Sequence, residues 1–237
     1  IIKDKGSLYN ISHYLSSNFI LNNDITLTGN WTPIGSANNT ASTVYNGEPK
    51  EFAGSFNGNG KNITNINLEG EDEAGPGNKY AGLFYATTQT AFINNLTLQI
   101  QSLNITATKI NLMVGGLVAK TNRGKIEQVN VSGTIIADGS TETNFVNYLG
   151  GIAFENYGEI TNSTSALSLS ESGGKQAFTG GIAVNNFGLI EACGVADVTL
   201  SGTTVGGIAA RNLGRISESY FKGRLIVNAW QFGGDCY

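Results

Sequence analysis

Charge, proline, histidine and cysteine are all scarce in this chain, and each shortage narrows what it can be. Charged residues make up 14% of 237 positions, well short of the quarter or so usual in globular proteins. Surface helices need a Lys/Glu/Arg face, so few charges among many Asn, Thr, Ser and Gly leave strands and turns as the building material. Three prolines leave the punctuation to glycine, of which there are 32. Fourteen basic against 18 acidic residues give a net charge of −4. No basic patch for phosphate neutralisation follows, so nucleic acid is not an expected partner, and membrane-surface electrostatics are equally unsupported. No apolar run approaches the roughly 20 residues of a spanning helix, so direct membrane insertion is not expected either. Two cysteines are too few for a disulfide scaffold. The chain opens at Ile1 without Met and stops at Tyr237 in mid-pattern, which reads as a piece of something longer.

What is abundant is self-similarity. A Gly-Gly-aliphatic-small phrase recurs at Gly115 to Val118, Gly150 to Ala153, Gly180 to Ala183 and Gly206 to Ala209. A worn copy stands at Ala81 to Phe84, and Gly233-Gly234 begins another. Spacings of 34, 35, 30, 26 and 27 residues between the second glycines, or Gly82 in the worn copy, drift too much for helical repeats. Coils of short strands absorb such drift in their loops. Asn-x-Gly-x-Ile follows each phrase, at Asn122, Asn156, Asn186 and Asn212. Asn and Gly tolerate left-handed backbone, so this is a corner, and stacked corners predict an Asn ladder along the axis.

Beyond the corner, Val129, Ser163, Cys193 and Ser219 are followed two residues later by Val131, Ser165, Val195 and Phe221, the period of a strand. A further strand is read from Thr134-Ile135, Leu167 to Leu169, Val198 to Leu200 and Leu225 to Val227. With Gly-Gly-Ile-Ala taken as a strand start, three short strands per coil predict an all-β fold, a right-handed parallel β-helix. Some seven coils should be filled by columns such as Leu83, Leu117, Ile152, Ile182 and Ile208. Whether Phe154 and Val184 face inward or outward is open. A single domain spans 1–237: cap and first coils over 1–80, repeated coils over 81–237. Ser7 is the expected cap of a short N-terminal helix with Leu8, Ile11 and Leu15 on one face, covering the open end.

The order Asp24-Ile25, Trp31-Thr32-Pro33-Ile34-Gly35 and Phe52 to Ile63, followed by the Gly-Gly-Ile-Ala and Asn-x-Gly-x-Ile units, resembles the bacterial GLUG-repeat proteins. The resemblance runs from about Leu8 to Gly234. Many family members place another glycine where Phe154, Val184 and Ala210 stand, which puts a shared binding surface in doubt. It implies a secreted or surface-anchored bacterial scaffold, as in large adhesins and in N-terminal regions of immunoglobulin-A-type metallopeptidases. It carries no catalytic residues.

Candidate chemistry is sparse. Parallel β-helices often serve as polysaccharide lyases and hydrolases, which need clustered carboxylates. Here Glu127 and Glu191 share an offset two coils apart with Thr161 between them, and Glu155, Glu159, Asp197 and Glu218 occupy other offsets. The sole histidine, His13, sits in the capping helix as a packing or surface residue. Glu69, Glu71, Asp72 and Glu73 could hold calcium loosely but lack an ordered ligand spacing, and a solvated loop is the plainer reading. Gly58-x-Gly60-Lys61 has neither the spacing nor the strand–helix setting of a phosphate loop. Asn-x-Ser/Thr sequons recur, as chance provides in so Asn- and Thr-rich a chain. Cys193 reads as a buried thiol, a bond to Cys236 being the alternative.

No catalytic, cofactor or metal residue is therefore assigned. The expected function is an extracellular adhesin-like module at the bacterial surface, a rod meeting protein or glycan ligands on a cell surface and adjoining domains of its parent chain. The contact loops are Ser36 to Glu51, Gly70 to Lys79 and Asp138 to Asn147, carrying or adjoining Tyr45, Tyr80 and Phe145. The alternative is a non-catalytic region of a secreted peptidase, or a carbohydrate-active β-helix enzyme.

Overall fold

The computed structural model describes residues 1–36, 50–68, 71–72, 78–106, 110–138, 145–172 and 176–228. The chain is a solenoid of parallel strands with one short helix at its N-terminus. Its first face stacks Phe19–Ile20, Ser55–Ile66, Phe92–Ile100, Lys125–Asp138, Glu159–Thr161, Leu189–Glu191 and Arg215–Ser217 in that order. The second face stacks Asn78–Ala81, Asn111–Gly115, Val146–Gly150, Gln176–Gly180 and Thr204–Gly206. Val118–Asn122, Ala153–Asn156, Ala183–Asn186 and Ala209–Asn212 form the third. The expected seven coils thus resolve into four turns complete on all three faces, with partial turns at either end. Isolated bridges Ile34 to Phe84 and Phe84 to Val118 carry the third face back toward the N-terminus.

Two expectations are corrected in detail. Gly-Gly does not start a strand: its first glycine ends the second-face strand, and the chain re-enters a strand at the small residue after Ile. The two strands read after the Asn corner merge into one, as in Thr164–Glu171, Gly194–Gly202 and Tyr220–Val227, paired through Ile135 to Leu169 and onward from Leu169 to Leu200. Lys125–Asp138 runs unbroken through a bend that in the later coils parts this strand from Glu159–Thr161, Leu189–Glu191 and Arg215–Ser217. The bend falls where Asn95, Gln128, Asn162, Ala192 and Glu218 adopt φ values of 49 to 54°. Left-handed backbone therefore lies six residues after each ladder Asn, and the Asn itself and its glycine are not left-handed. A strand lacking a Gly or Asn at this bend, as at Ala192, accepts a strained conformation because both neighbouring rungs impose it.

One contiguous core runs from Ile2 to Leu200. Leu83, Leu117, Ile152 and Ile182 are fully buried in one column, and Ile126, Ile160 and Ile190 in another. The alternation places Val129, Ser163 and Cys193 inside as well. Burying Ser there is tolerated because Ser163 Oγ accepts from Val129 N at 3.1 Å and donates to Thr161 O at 2.8 Å. The helix Lys5–Tyr9 is capped by Asp4, with Ser7 as the reciprocal partner three positions in, so the expected cap is displaced by three residues. A carboxylate accepts the first-turn N–H at 2.8 Å while Ser7 Oγ accepts from Asp4 N. Leu8 and Ile11 enter the core and Leu15 packs against it.

Candidate functional site

The Asn-x-Gly corner brings the sequence-selected asparagines into a single file. Asn122 Nδ2 donates to Asn156 Oδ1 at 2.9 Å, Asn156 to Asn186 at 2.8 Å and Asn186 to Asn212 at 2.8 Å. Thr87 begins the file, its hydroxyl donating to Asn122 Oδ1 at 2.7 Å. Asn122, Asn156 and Asn186 are buried, so the amides knit coils together and present nothing to a ligand. Remaining amide hydrogens return to the corner backbone, Asn122 to Gly124 O and Asn186 to Gly188 O, both at 3.2 Å.

Why glycine follows is a matter of stacking. A Cβ on Gly158 would sit 2.0 Å from Gly124 O, one on Gly188 2.1 Å from Gly158 O, and one on Gly214 2.2 Å from Gly188 O. Backbone rests on backbone here, leaving a side-chain-free floor. The residue between Asn and Gly points away from that floor, giving the outward file Arg123, Tyr157, Phe187 and Leu213. Tyr157 is 50% exposed, Phe187 37% and Leu213 75%. The two rings stack at 4.4 Å between centroids with 13° between planes, close to the rise between coils. Beside them is a depression of about 410 Å³ bordered by Gln89, Arg123, Lys125, Tyr157, Glu159 and Leu189. Sequence reasoning passed over this file because x in Asn-x-Gly carries no repeat constraint. That freedom, read down the four corners, is the signal that finds it.

The expected contact residues lie elsewhere. Tyr80 is a strand residue, 6% exposed, with its ring 5.2 Å from that of Tyr85. Phe145 is half-buried just before Val146–Gly150, and Tyr45 lies outside the described residues. Tyr80 belongs to a second apolar cluster outside the core with Tyr85, Met113, Ala119, Phe154 and Val184, joined by Tyr148 and Phe178. Phe154 and Val184 therefore look outward yet are buried. Lys120 spans this cluster, its ammonium 5.3 and 5.1 Å from the rings of Tyr80 and Tyr85 and donating to Tyr85 Oη at 2.9 Å.

The carboxylates are dispersed. Glu127 registers with Thr161 and Thr161 with Glu191, as the offsets imply. Glu191 accepts from Ser217 Oγ at 3.0 Å, and Glu155 from Thr121 Oγ1 at 3.3 Å. No group of three His, Cys, Asp or Glu side chains converges among the described residues. Of the suggested calcium residues, Glu71 and Asp72 pair by backbone with Tyr80 and Lys79 in an antiparallel hairpin, while Glu69 and Glu73 lie outside the described residues. Gly58 to Lys61 forms a bulge in Ser55–Ile66, where three residues on one strand have no counterpart in register opposite Asn94 to Leu96. His13 ends the 3₁₀ turn Asn10–His13 and meets Tyr14 edge-on. Cys193 is a free, buried thiol, and Cys236 lies outside the described residues. Burial pushes the Cys193 thiol above its ordinary range, against the opposing pull of hydrogen bonding with Ser163 and Glu191.

Comparison with family models, curated proteins and solved structures returned no match.

Proposed function

We propose that the chain is a structural and binding module of a bacterial cell surface, a β-helical rod that displays outward side chains to surface ligands. The observation that carries this reading is the division of labour at the Asn-x-Gly corner. Ladder and glycine floor fix the backbone, while the intervening residue is free to vary and stays in solvent. The repeat order that resembles GLUG proteins supports extracellular display, with adjoining domains of a parent chain at the rod's ends. Carboxylates spread along the coils, Glu155 accepting from Thr121 and Glu191 from Ser217, suit a binding scaffold.

A labelled chain is expected to bind bacterial or host cell surfaces saturably. Alanine replacement along Tyr157, Phe187 and Leu213, compared with replacement across the expected contact loops, locates the contact. Absence of saturable binding to any surface would reduce the module to a spacer. Turnover of a polysaccharide by the chain alone would overturn the reading in favour of an enzyme.

A further inference from the structure

We infer that the depression beside Tyr157 is a subsite for a neutral saccharide, with the Tyr157 ring as its platform. The inference rests on the binding-module reading and gives that reading a ligand class. A sugar ring offers two chemistries at once, an apolar patch of C–H groups on a face and hydroxyls around the edge, and the depression holds a partner for each. Phe187 stacks on one side of Tyr157 at 4.4 Å and holds the ring's orientation, so little side-chain freedom is lost when a ligand meets it. Around the ring stand the Gln89 amide, the Arg123 guanidinium and the Glu159 carboxylate, all exposed, which donate to and accept from hydroxyls. The volume of about 410 Å³ admits one or two sugar rings. The bare glycine floor, closed to any Cβ at Gly158, is what keeps it open.

Charge selects a neutral ligand over an anionic one. Arg123 is ion-paired to Glu51, and Lys125 lies 3.2 Å from Glu127 with its ammonium 5.7 Å from the centre of the Phe92 ring. Cations already satisfied by carboxylates act as oriented hydrogen-bond donors and lend little net attraction to phosphate, sulfate or uronate.

Neutral oligosaccharides of β-linked glucose, galactose and N-acetylglucosamine, presented on an array and then titrated against the intact chain, test this directly. At least one is expected to bind, with Tyr157→Ala lowering affinity by about tenfold or more and Tyr157→Phe changing it by less than about threefold. Gln89→Ala should lower it by a smaller factor, with circular dichroism unchanged in all three. Neutral-sugar binding indifferent to Tyr157→Ala would overturn the subsite. So would a preference for sulfated or uronate oligosaccharides that disappears with salt, or capture of peptides in place of sugars. Cell-surface binding that persists without any affinity for sugars would overturn the saccharide inference while leaving the binding module standing, whereas loss of both would remove the module as well.

Discussion

The two glycine-bearing corners of each coil treat outward aromatics in opposite ways. At the Gly-Gly corner the outer sides of the second and third faces turn toward each other, and Tyr80, Met113 and Tyr148 meet Tyr85 and Phe154 in a cluster that excludes most solvent. At the Asn-x-Gly corner the faces turn apart, and Tyr157 and Phe187, stacked on each other, keep much of their surface in water. Residue type does not separate these sets. Curvature does: a re-entrant corner converges side chains into a small second core, and a salient corner spreads them into a display surface.

Breaking each corner should therefore read out differently. The largest effect is expected where a Cβ meets backbone: Gly151→Ala puts a carbon 1.9 Å from Gly181 O, and urea denaturation should show a loss on the order of 3 kcal/mol or more. Phe154→Ala, which empties the re-entrant cluster, should cost about 3 kcal/mol in the same assay. Asn156→Ala leaves a buried acceptor on Asn186 and weakens the donor bonding of Asn122, and should cost about 2 kcal/mol. Tyr157→Ala sharpens the contrast, because an exposed salient residue should change stability by less than about 0.5 kcal/mol while altering binding. If Phe154→Ala and Tyr157→Ala proved equally costly, the distinction between the corners would collapse.

Cys193 supplies a smaller, pH-dependent test. Its thiol titrates higher in the folded chain than in the unfolded one, so the unfolded state loses its proton first as pH rises. The thiol's contribution is complete below the unfolded value of about 8.5 and declines above it. Stability should fall slightly between neutral and strongly alkaline pH, and Cys193→Ser should flatten that part of the profile. With Cys236 replaced by serine, a thiol-reactive dye should label Cys193 slowly in the native chain.

The sequence made the coil period, the Asn file and the aliphatic columns legible because each of these binds one coil to the next and so cannot drift. Ile152, Asn156 and Ile160 stand in for Ile182, Asn186 and Ile190 at matching offsets, and the structure pairs Asn156 with Asn186 and Ile160 with Ile190. What escaped were features with no repeated letter. The left-handed bend is Asn, Gln, Ala or Glu by turns, since the neighbouring rungs enforce its conformation and composition does not. The second-face strands ahead of Gly-Gly were overlooked because Asn147-Tyr148-Leu149 and Ala177-Phe178-Thr179 share a pattern of burial and no common residue. Tyr80 was assigned to a contact surface on the strength of its neighbouring insertion, but a tyrosine beside a loop is a packing residue when the corner is re-entrant. Tyr157 and Phe187 went unremarked because nothing in the repeat constrains them.

Asn122, Asn156 and Asn186 each accept one hydrogen bond from the coil before and give one to the coil after, and Asn212 accepts the last of these. Such a file is indifferent to its own length: taking out one member and closing the gap orphans nobody. Excision of residues 157–186 would join Asn156 to Phe187-Gly188, restore the corner and let Asn156 donate to Asn212. A shortened rod of this kind is expected to keep the β-sheet signature in circular dichroism, whereas a cut of half that length, residues 157–171, which breaks the 30-residue register, should not fold. The solenoid is in this sense a ruler that can be cut only at its marks, and those marks are set by asparagine.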